Sequence, residues 1–263
     1  MEIKLERQEK STAMVNVTVP AKEVATEQQH TLEHMAEETT IKGFRKGKAP
    51  IALVKNSLDP EKLKDRTVVH LLGHIIDQAV KDLKLKVIAN PHLTKEDTSK
   101  ADWTFTLEFP LYPEFELGDY QAKIKTVVAK SKPENEDKKL KIVFDTLLNT
   151  VKMDIPASLV AEEVNRSLGR LVSQTEALNL SVADYLKSIK KTPEQLREEY
   201  QKTATESLKL DFLLFAIARD MKLTVAEEEV KSLQGAADVK AESRPYLESV
   251  LLKRKAVDNL LKF

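Results

Sequence analysis

The residues with the clearest binding chemistry form the octapeptide Gly43–Pro50, which has the sequence Gly-Phe-Arg-Lys-Gly-Lys-Ala-Pro. It contains one aromatic ring, three cations and two glycines, and no acidic residue occurs from Thr39 to Leu58. Glycine tolerates positive φ, and proline disfavours helical geometry in the residue before it, so the segment is predicted to be an ordered, exposed loop between two helices. An exposed phenylalanine among cations suits an anionic partner with flat surfaces for stacking, such as RNA.

The same octapeptide resembles the signature of trigger factor, a bacterial chaperone that docks on the ribosome where nascent chains emerge. In that family the Phe-Arg-Lys triplet contacts an exit-tunnel protein and the adjacent ribosomal RNA. The resemblance therefore implies direct contacts by Phe44, Arg45 and Lys46. The whole implied ribosome-binding site comprises Gly43, Phe44, Arg45, Lys46, Gly47, Lys48 and Pro50. The competing interpretation is a solvated basic loop without a dedicated partner.

Two histidine pairs at helical spacing, His30/His34 and His70/His74, are the other candidates for chemistry. An i, i+4 pair can present two imidazoles to zinc, but neither first histidine is followed by the glutamate of a His-Glu-x-x-His site. Ordinary surface or half-buried histidines are therefore the favoured interpretation. The sequence contains no Gly-x-Ser-x-Gly motif, no glycine-rich nucleotide-binding motif and no cysteine. It predicts no catalytic residue, no cofactor and no metal site.

Composition limits the class of protein. A chain of 263 residues suggests two domains. Its 42 basic and 42 acidic side chains balance, so any affinity for RNA must be local rather than general. The absence of cysteine excludes disulfides and fits a reducing compartment. The start of the chain lacks the apolar stretch of a signal peptide, and no apolar run approaches the ~18 residues that a bilayer requires. These features predict a cytoplasmic protein without membrane contact.

Hydrophobic periodicity predicts the elements that position the loop. Alternating apolar residues predict a hairpin within residues 3–19, and a weakly amphipathic helix should follow over about 21–40. Asp59 and Pro60 mark the start of a second helix. A long strand is expected from Trp103 to Leu111. We therefore predict an α+β ribosome-binding domain over residues 1–113, with a small antiparallel sheet, two helices and a loop at their tip.

The remainder is predicted to be a connector followed by an all-α domain. Alternation of Ile124, Thr126 and Val128 suggests an extended connector over residues 114–133. Helical periodicity then continues over residues 134–263. The segment from Asp154 to Val160 is similar to the Asp-Val-Pro-x-x-Leu-Ile corner of trigger factor, and the stretch from Lys209 to Leu233 is similar to its paired helices. The resemblance implies a substrate-binding chaperone domain whose helical arms form a cradle for unfolded chains.

Trigger factor usually carries a prolyl isomerase of the FKBP type between these two parts. Such a module is glycine-rich and aromatic-lined, whereas this chain has only six glycines and one tryptophan. The tryptophan is Trp103, which belongs to the long strand predicted in the N-terminal domain. The isomerase is therefore expected to be absent. The cluster Phe212-Leu213-Leu214-Phe215 could line the cradle, but a helix that is apolar on most sides favours burial.

The sequence thus predicts an ATP-independent chaperone that docks at the tunnel exit and shields nascent polypeptides. The expected partners are the ribosome and unfolded chains, and a weak homodimer off the ribosome is left open. Three alternatives stay open as well: a general RNA-binding protein that uses the basic loop, a prolyl isomerase that retains the family activity, and a holdase that acts without the ribosome.

Overall fold

The computed structural model describes residues 1–9, 11–237 and 244–263, and it divides the chain into two compact units. The first unit runs from Met1 to Tyr112 and the second from Pro113 to Phe263. Residues 238–243 of the predicted all-α region lie outside the described residues. Because the second unit begins where the first ends, no third compact unit separates them in the described chain.

The first unit combines a four-stranded antiparallel sheet with three helices. Its elements are β1 (Glu2–Glu9), β2 (Thr12–Val19), α1 (Ala21–Glu38), α2 (Ile51–Ser57), α3 (Pro60–Asp82), β3 (His92–Asp97) and β4 (Trp103–Pro110). The strand order is β1-β2-β4-β3. The predicted hairpin and long strand are present as β1, β2 and β4. The two expected helices are present as α1 and α3, and the structure adds the strand β3 and the short helix α2, which the sequence did not predict.

The period-two pattern of β2 and β4 explains the core of this unit. Val15 pairs with Leu107 and Val17 with Phe105, which places these side chains on one buried face. Helix α3 covers that face with Leu71, Ile75 and Ala79. Strand β3, His-Leu-Thr-Lys-Glu-Asp, is mostly exposed and carries only one large apolar residue, so it has no alternating signal for a sequence pattern to reveal.

All the secondary-structure elements described in the second unit are helices. Its helices are α4 (Tyr120–Ser131), α5 (Glu136–Thr150), α6 (Ala157–Ala177), α7 (Val182–Ser188), α8 (Pro193–Asp220), α9 (Glu227–Ala237) and α10 (Arg244–Leu260). Thr192 begins α8 with a capping box, since its hydroxyl accepts from the Gln195 amide while the Gln195 side chain accepts from the Thr192 amide.

The prediction of an extended connector over residues 114–133 was wrong, because Tyr120–Ser131 forms α4. The spacing of Ile124 and Val128 fits one face of a helix as well as a strand, and both side chains are buried. They pack with Leu147 of α5 and Ile217 of α8 in the main core of the second unit. Helix α4 is therefore part of a folded unit rather than a linker.

The apolar cluster in α8 is core, as the all-round apolar pattern favoured. Leu213, Leu214 and Ile217 are buried, and Phe212 and Phe215 are half-buried. Smaller apolar clusters lie along the other helices, where α6 packs on α8 through Val160, Val164 and Ala204.

Candidate docking loop

The loop between α1 and α2 begins where α1 ends at Glu38. Thr39 caps the helix, and its hydroxyl donates to the carbonyl oxygen of Met35 over 2.6 Å. Its own carbonyl accepts from the Gly47 amide over 3.4 Å, which ties the far side of the loop back to the end of α1. The segment predicted as the site is therefore attached to a helix end at its base.

Two turns shape the loop between these points. The Phe44 amide donates to the carbonyl of Ile41 over 3.0 Å, and the Lys48 amide donates to the carbonyl of Arg45 over 2.9 Å. These bonds satisfy backbone groups that neither helix can pair. The loop therefore has a defined backbone course.

Gly47 lies close against the last turn of α1. Its φ is +72°, and a Cβ placed there would lie 2.9 Å from the carbonyl oxygen of Glu37. Gly43 also has a positive φ, of +92°, but open space surrounds its Cβ position. Gly47 is thus required for two reasons, its backbone angle and the lack of room, whereas Gly43 is required for its backbone angle alone.

A small apolar cluster supports the loop from beneath. Leu32 and Ala36 of α1 and Val54 of α2 are buried together. The loop residues Ile41 and Ala49 pack against this cluster, which is separate from the core on the sheet. Pro50 occupies the N-cap position of α2.

The aromatic and cationic side chains of the loop are exposed to solvent. The Phe44 ring is 41% exposed, and the cationic residues Lys42, Arg45, Lys46, Lys48 and Lys55 are all exposed. No carboxylate among the described residues forms an ion pair with any of them. An aromatic ring and five uncompensated cations make this surface suited to an anionic partner that also offers flat or apolar contacts.

Sequence reasoning missed two residues beside the loop. Ile51 and Leu53 of α2 are 40% and 44% exposed, while Val54 of the same helix is buried against Leu32 and Ala36 of α1. Ile51 and Val54 are three positions apart and share a helix face, so the spacing alone does not reveal that Ile51 is exposed.

Helices α1 and α3 bring one histidine of each predicted pair close together. The ring centroids of His34 and His70 are 5.9 Å apart, and Nδ1 of His70 lies 3.6 Å from Oε1 of Glu27. Across the part of the chain that is described, no group of three or more histidine and acidic residues is arranged to hold a metal ion.

None of the helices within the described ranges combines the length and the apolar character of a membrane span.

Two family models match the chain. The model described as "Bacterial trigger factor protein (TF)" matches residues 1–147, and the model described as "Bacterial trigger factor protein (TF) C-terminus" matches residues 116–234. The first covers more than half of the chain. The two matches overlap, so they leave no residues between them for an inserted domain.

Curated relatives agree with these matches. A protein named "Trigger factor" from Bdellovibrio bacteriovorus is 34% identical over 148 residues, which cover 56% of this chain and 33% of the relative. A protein of the same name from Nitrosospira multiformis is 27% identical over 167 residues, or 62% of this chain and 38% of the relative. The chain therefore spans between a third and two fifths of the length of these two relatives.

One solved structure has the same fold. It comes from work described as "Promiscuous Substrate Recognition in Folding and Assembly Activities of the Trigger Factor Chaperone". The TM-score is 0.71 at 14% identity, and the alignment covers 100% of this chain and 99% of that chain. At this identity the likeness concerns the fold alone.

Proposed function

The chain belongs to the bacterial trigger factor family, and on that premise we propose that it is an ATP-independent chaperone that docks on the ribosome through residues 43–50. The observation that carries the proposal is the loop itself, whose base is hydrogen-bonded to the end of α1. It presents an exposed phenylalanine and cations that form no ion pair within the described ranges. The protein would act in the cytoplasm, where ribosomes release new chains.

Each side chain of the triplet has a separate task in this proposal. The Phe44 ring supplies area for an apolar or stacking pocket. The Arg45 guanidinium donates paired hydrogen bonds to a carboxylate or phosphate, and Lys46 contributes a point charge. Gly43, Gly47 and Pro50 hold the backbone in place, while Lys48 adds attraction that salt weakens.

The second unit would shield unfolded chains. The solved relative is described by its promiscuous substrate recognition, which fits dispersed and weak contacts. In this chain Val172, Leu178 and Tyr246 are exposed apolar residues on or beside helices of the second unit. Scattered apolar side chains of this kind bind exposed apolar segments weakly and release them without nucleotide hydrolysis.

We further propose that the chain acts without catalysis. The two matched family models are those of the N-terminal and C-terminal parts, and they overlap at residues 116–147. A prolyl-peptide isomerisation assay tests this point, and turnover that increases with protein concentration would contradict it. No observation favours a general RNA-binding role over docking at one site.

The central experiment replaces Phe44, Arg45 and Lys46 together with alanine. We expect the affinity for ribosomes to fall at least about a hundredfold, because a few anchoring residues carry most of the energy of an interface. Co-sedimentation with purified ribosomes over a salt series measures this. The salt slope should also become shallower, by about 0.7 to 0.9 for each phosphate contact that is lost.

A matched control removes one aromatic and two cationic side chains from positions outside the loop. Tyr246, Lys130 and Lys202 are one exposed aromatic and two exposed lysines outside the loop. Their joint replacement with alanine should leave ribosome binding unchanged. Unchanged binding by the loop variant, with helical content preserved in circular dichroism, would show that the loop is not the docking site. Equal affinity of the wild type for ribosomes and for unrelated RNA would favour the general RNA-binding alternative.

A further inference from the structure

A groove lies between α1 and α3 beside the base of the docking loop. Its volume is about 360 Å³. Met35 of α1 and Val69 of α3 supply apolar lining. Four charged residues surround these two, namely Glu38, Lys62, Asp65 and Arg66. We refer to this feature as the α1–α3 groove.

Val69 is the unusual residue of this groove. Its side chain is 64% exposed, although the neighbouring Val68 is buried in the core. A valine that is mostly exposed gains little from packing in the free protein, and valine has a low helix propensity. An ion pair of 3.3 Å between Arg66 and Glu38 joins the two helices at this level, so the walls of the groove are held together without Val69.

The groove is continuous with the docking loop through Thr39. Thr39 lines the groove, and its carbonyl oxygen is the acceptor for the Gly47 amide of the loop. A partner surface that extends past the base of the loop would therefore meet the end of the groove.

The charges of the groove differ from those of the loop. The loop carries cations only, whereas the groove has two carboxylates, Glu38 and Asp65, beside two cations, Lys62 and Arg66. Because these charges balance, the groove offers phosphates no net attraction, and its apolar lining offers them nothing either. A protein surface with charges of both signs around one apolar side chain matches the groove better.

We propose that the α1–α3 groove receives an apolar side chain of a ribosomal protein while the loop engages the surface next to it. This inference rests on the proposed ribosome docking and adds a second point of contact. The groove then contributes the salt-independent part of the affinity and the cationic loop the salt-dependent part.

The test is Val69→Ser in the full chain, measured as affinity for purified ribosomes over a salt series. We expect a loss of about five- to tenfold, the size that corresponds to exposing most of a buried valine. The loss should be the same factor at every salt concentration, because no charge is removed. Val127→Ser, at an exposed valine of α4, is the matched control and should bind as the wild type does.

A photo-crosslinking amino acid at position 69 identifies the class of partner. With purified ribosomes, the crosslink should be found in the protein fraction after nuclease treatment. A crosslink to RNA, or wild-type affinity of Val69→Ser, would overturn the groove proposal. Neither result affects the docking loop, whose own test is the triple alanine variant.

Discussion

Gly47 decides how the docking loop is held, because it lies against the end of α1 with a positive φ. An alanine there would meet the Glu37 carbonyl oxygen at 2.9 Å and would be strained at a φ of +72°. The exposed residues between Gly43 and Gly47 depend on this contact for their direction. The backbone conformation at Gly47 therefore affects how the loop is presented to the proposed partner.

We expect Gly47→Ala to lower the free energy of unfolding by about 1–2 kcal/mol and to weaken ribosome binding, since the loop must move away from α1. Urea unfolding and co-sedimentation measure the two effects. Gly73→Ala is the matched control, because Gly73 is a glycine of α3 with open space around it. It should raise stability by about 0.5–1 kcal/mol. Wild-type binding by Gly47→Ala would mean that the course of the loop is not required.

At the scale of elements, α4 shows how one pattern allows two structures. Ile124 and Val128 are spaced as in a helix stripe, yet with Thr126 between them they also alternate as in a strand. The structure selects the helix, and Asp119 starts it by accepting from the Ala122 amide. The Tyr120 hydroxyl donates to Asp220 of α8 over 2.9 Å, and burial raises the pKa of this tyrosine.

We therefore expect substitutions at two apolar positions of α4 to differ strongly in their effect on the free energy of unfolding. Ile124→Ala should lower the free energy of unfolding by about 2–5 kcal/mol, because the side chain is fully buried among α5, α8 and α10. Val127→Ala, three residues later and 36% exposed, should change it by less than about 1 kcal/mol. Chemical denaturation measures both. Equal, small effects would restore the interpretation of this segment as a connector.

At the scale of the whole molecule, the chain consists of two units with separate cores. The sheet and α3 form the core of residues 1–112, and α4, α5, α8 and α10 form the main core of the remainder. The two clusters have no residue in common. Separate cores are what independently folding domains require.

We expect a fragment of residues 1–112 to fold by itself and to keep the ribosome affinity of the full chain, since it contains the loop and the α1–α3 groove. Thermal unfolding and co-sedimentation of the fragment test this. The same fragment should lose the ability to suppress aggregation of an unfolded client, which we assign to the second unit. Full protection of the client by the fragment would contradict this division of tasks between the units. In the full chain, the loop variants should suppress aggregation as well as the wild type does.

Much of this protein could be predicted from its sequence, because the signals involved are local. The glycines, cations and proline of residues 43–50 determined an exposed loop, and alternation determined β2 and β4. Helical periodicity determined α3 and most of the helices after Pro133. Each of these signals lies within a few turns or one strand, where backbone geometry decides which side chains share a face.

Tertiary structure alone decided the rest. Ile124 became a helix residue because α5 and α8 bury it, and β3 formed because β4 offered an edge for pairing, although its own residues are mostly polar. The α1–α3 groove exists only where two helices distant in sequence place Val69 next to Met35. Such features depend on which surfaces meet, and a single segment does not contain that information.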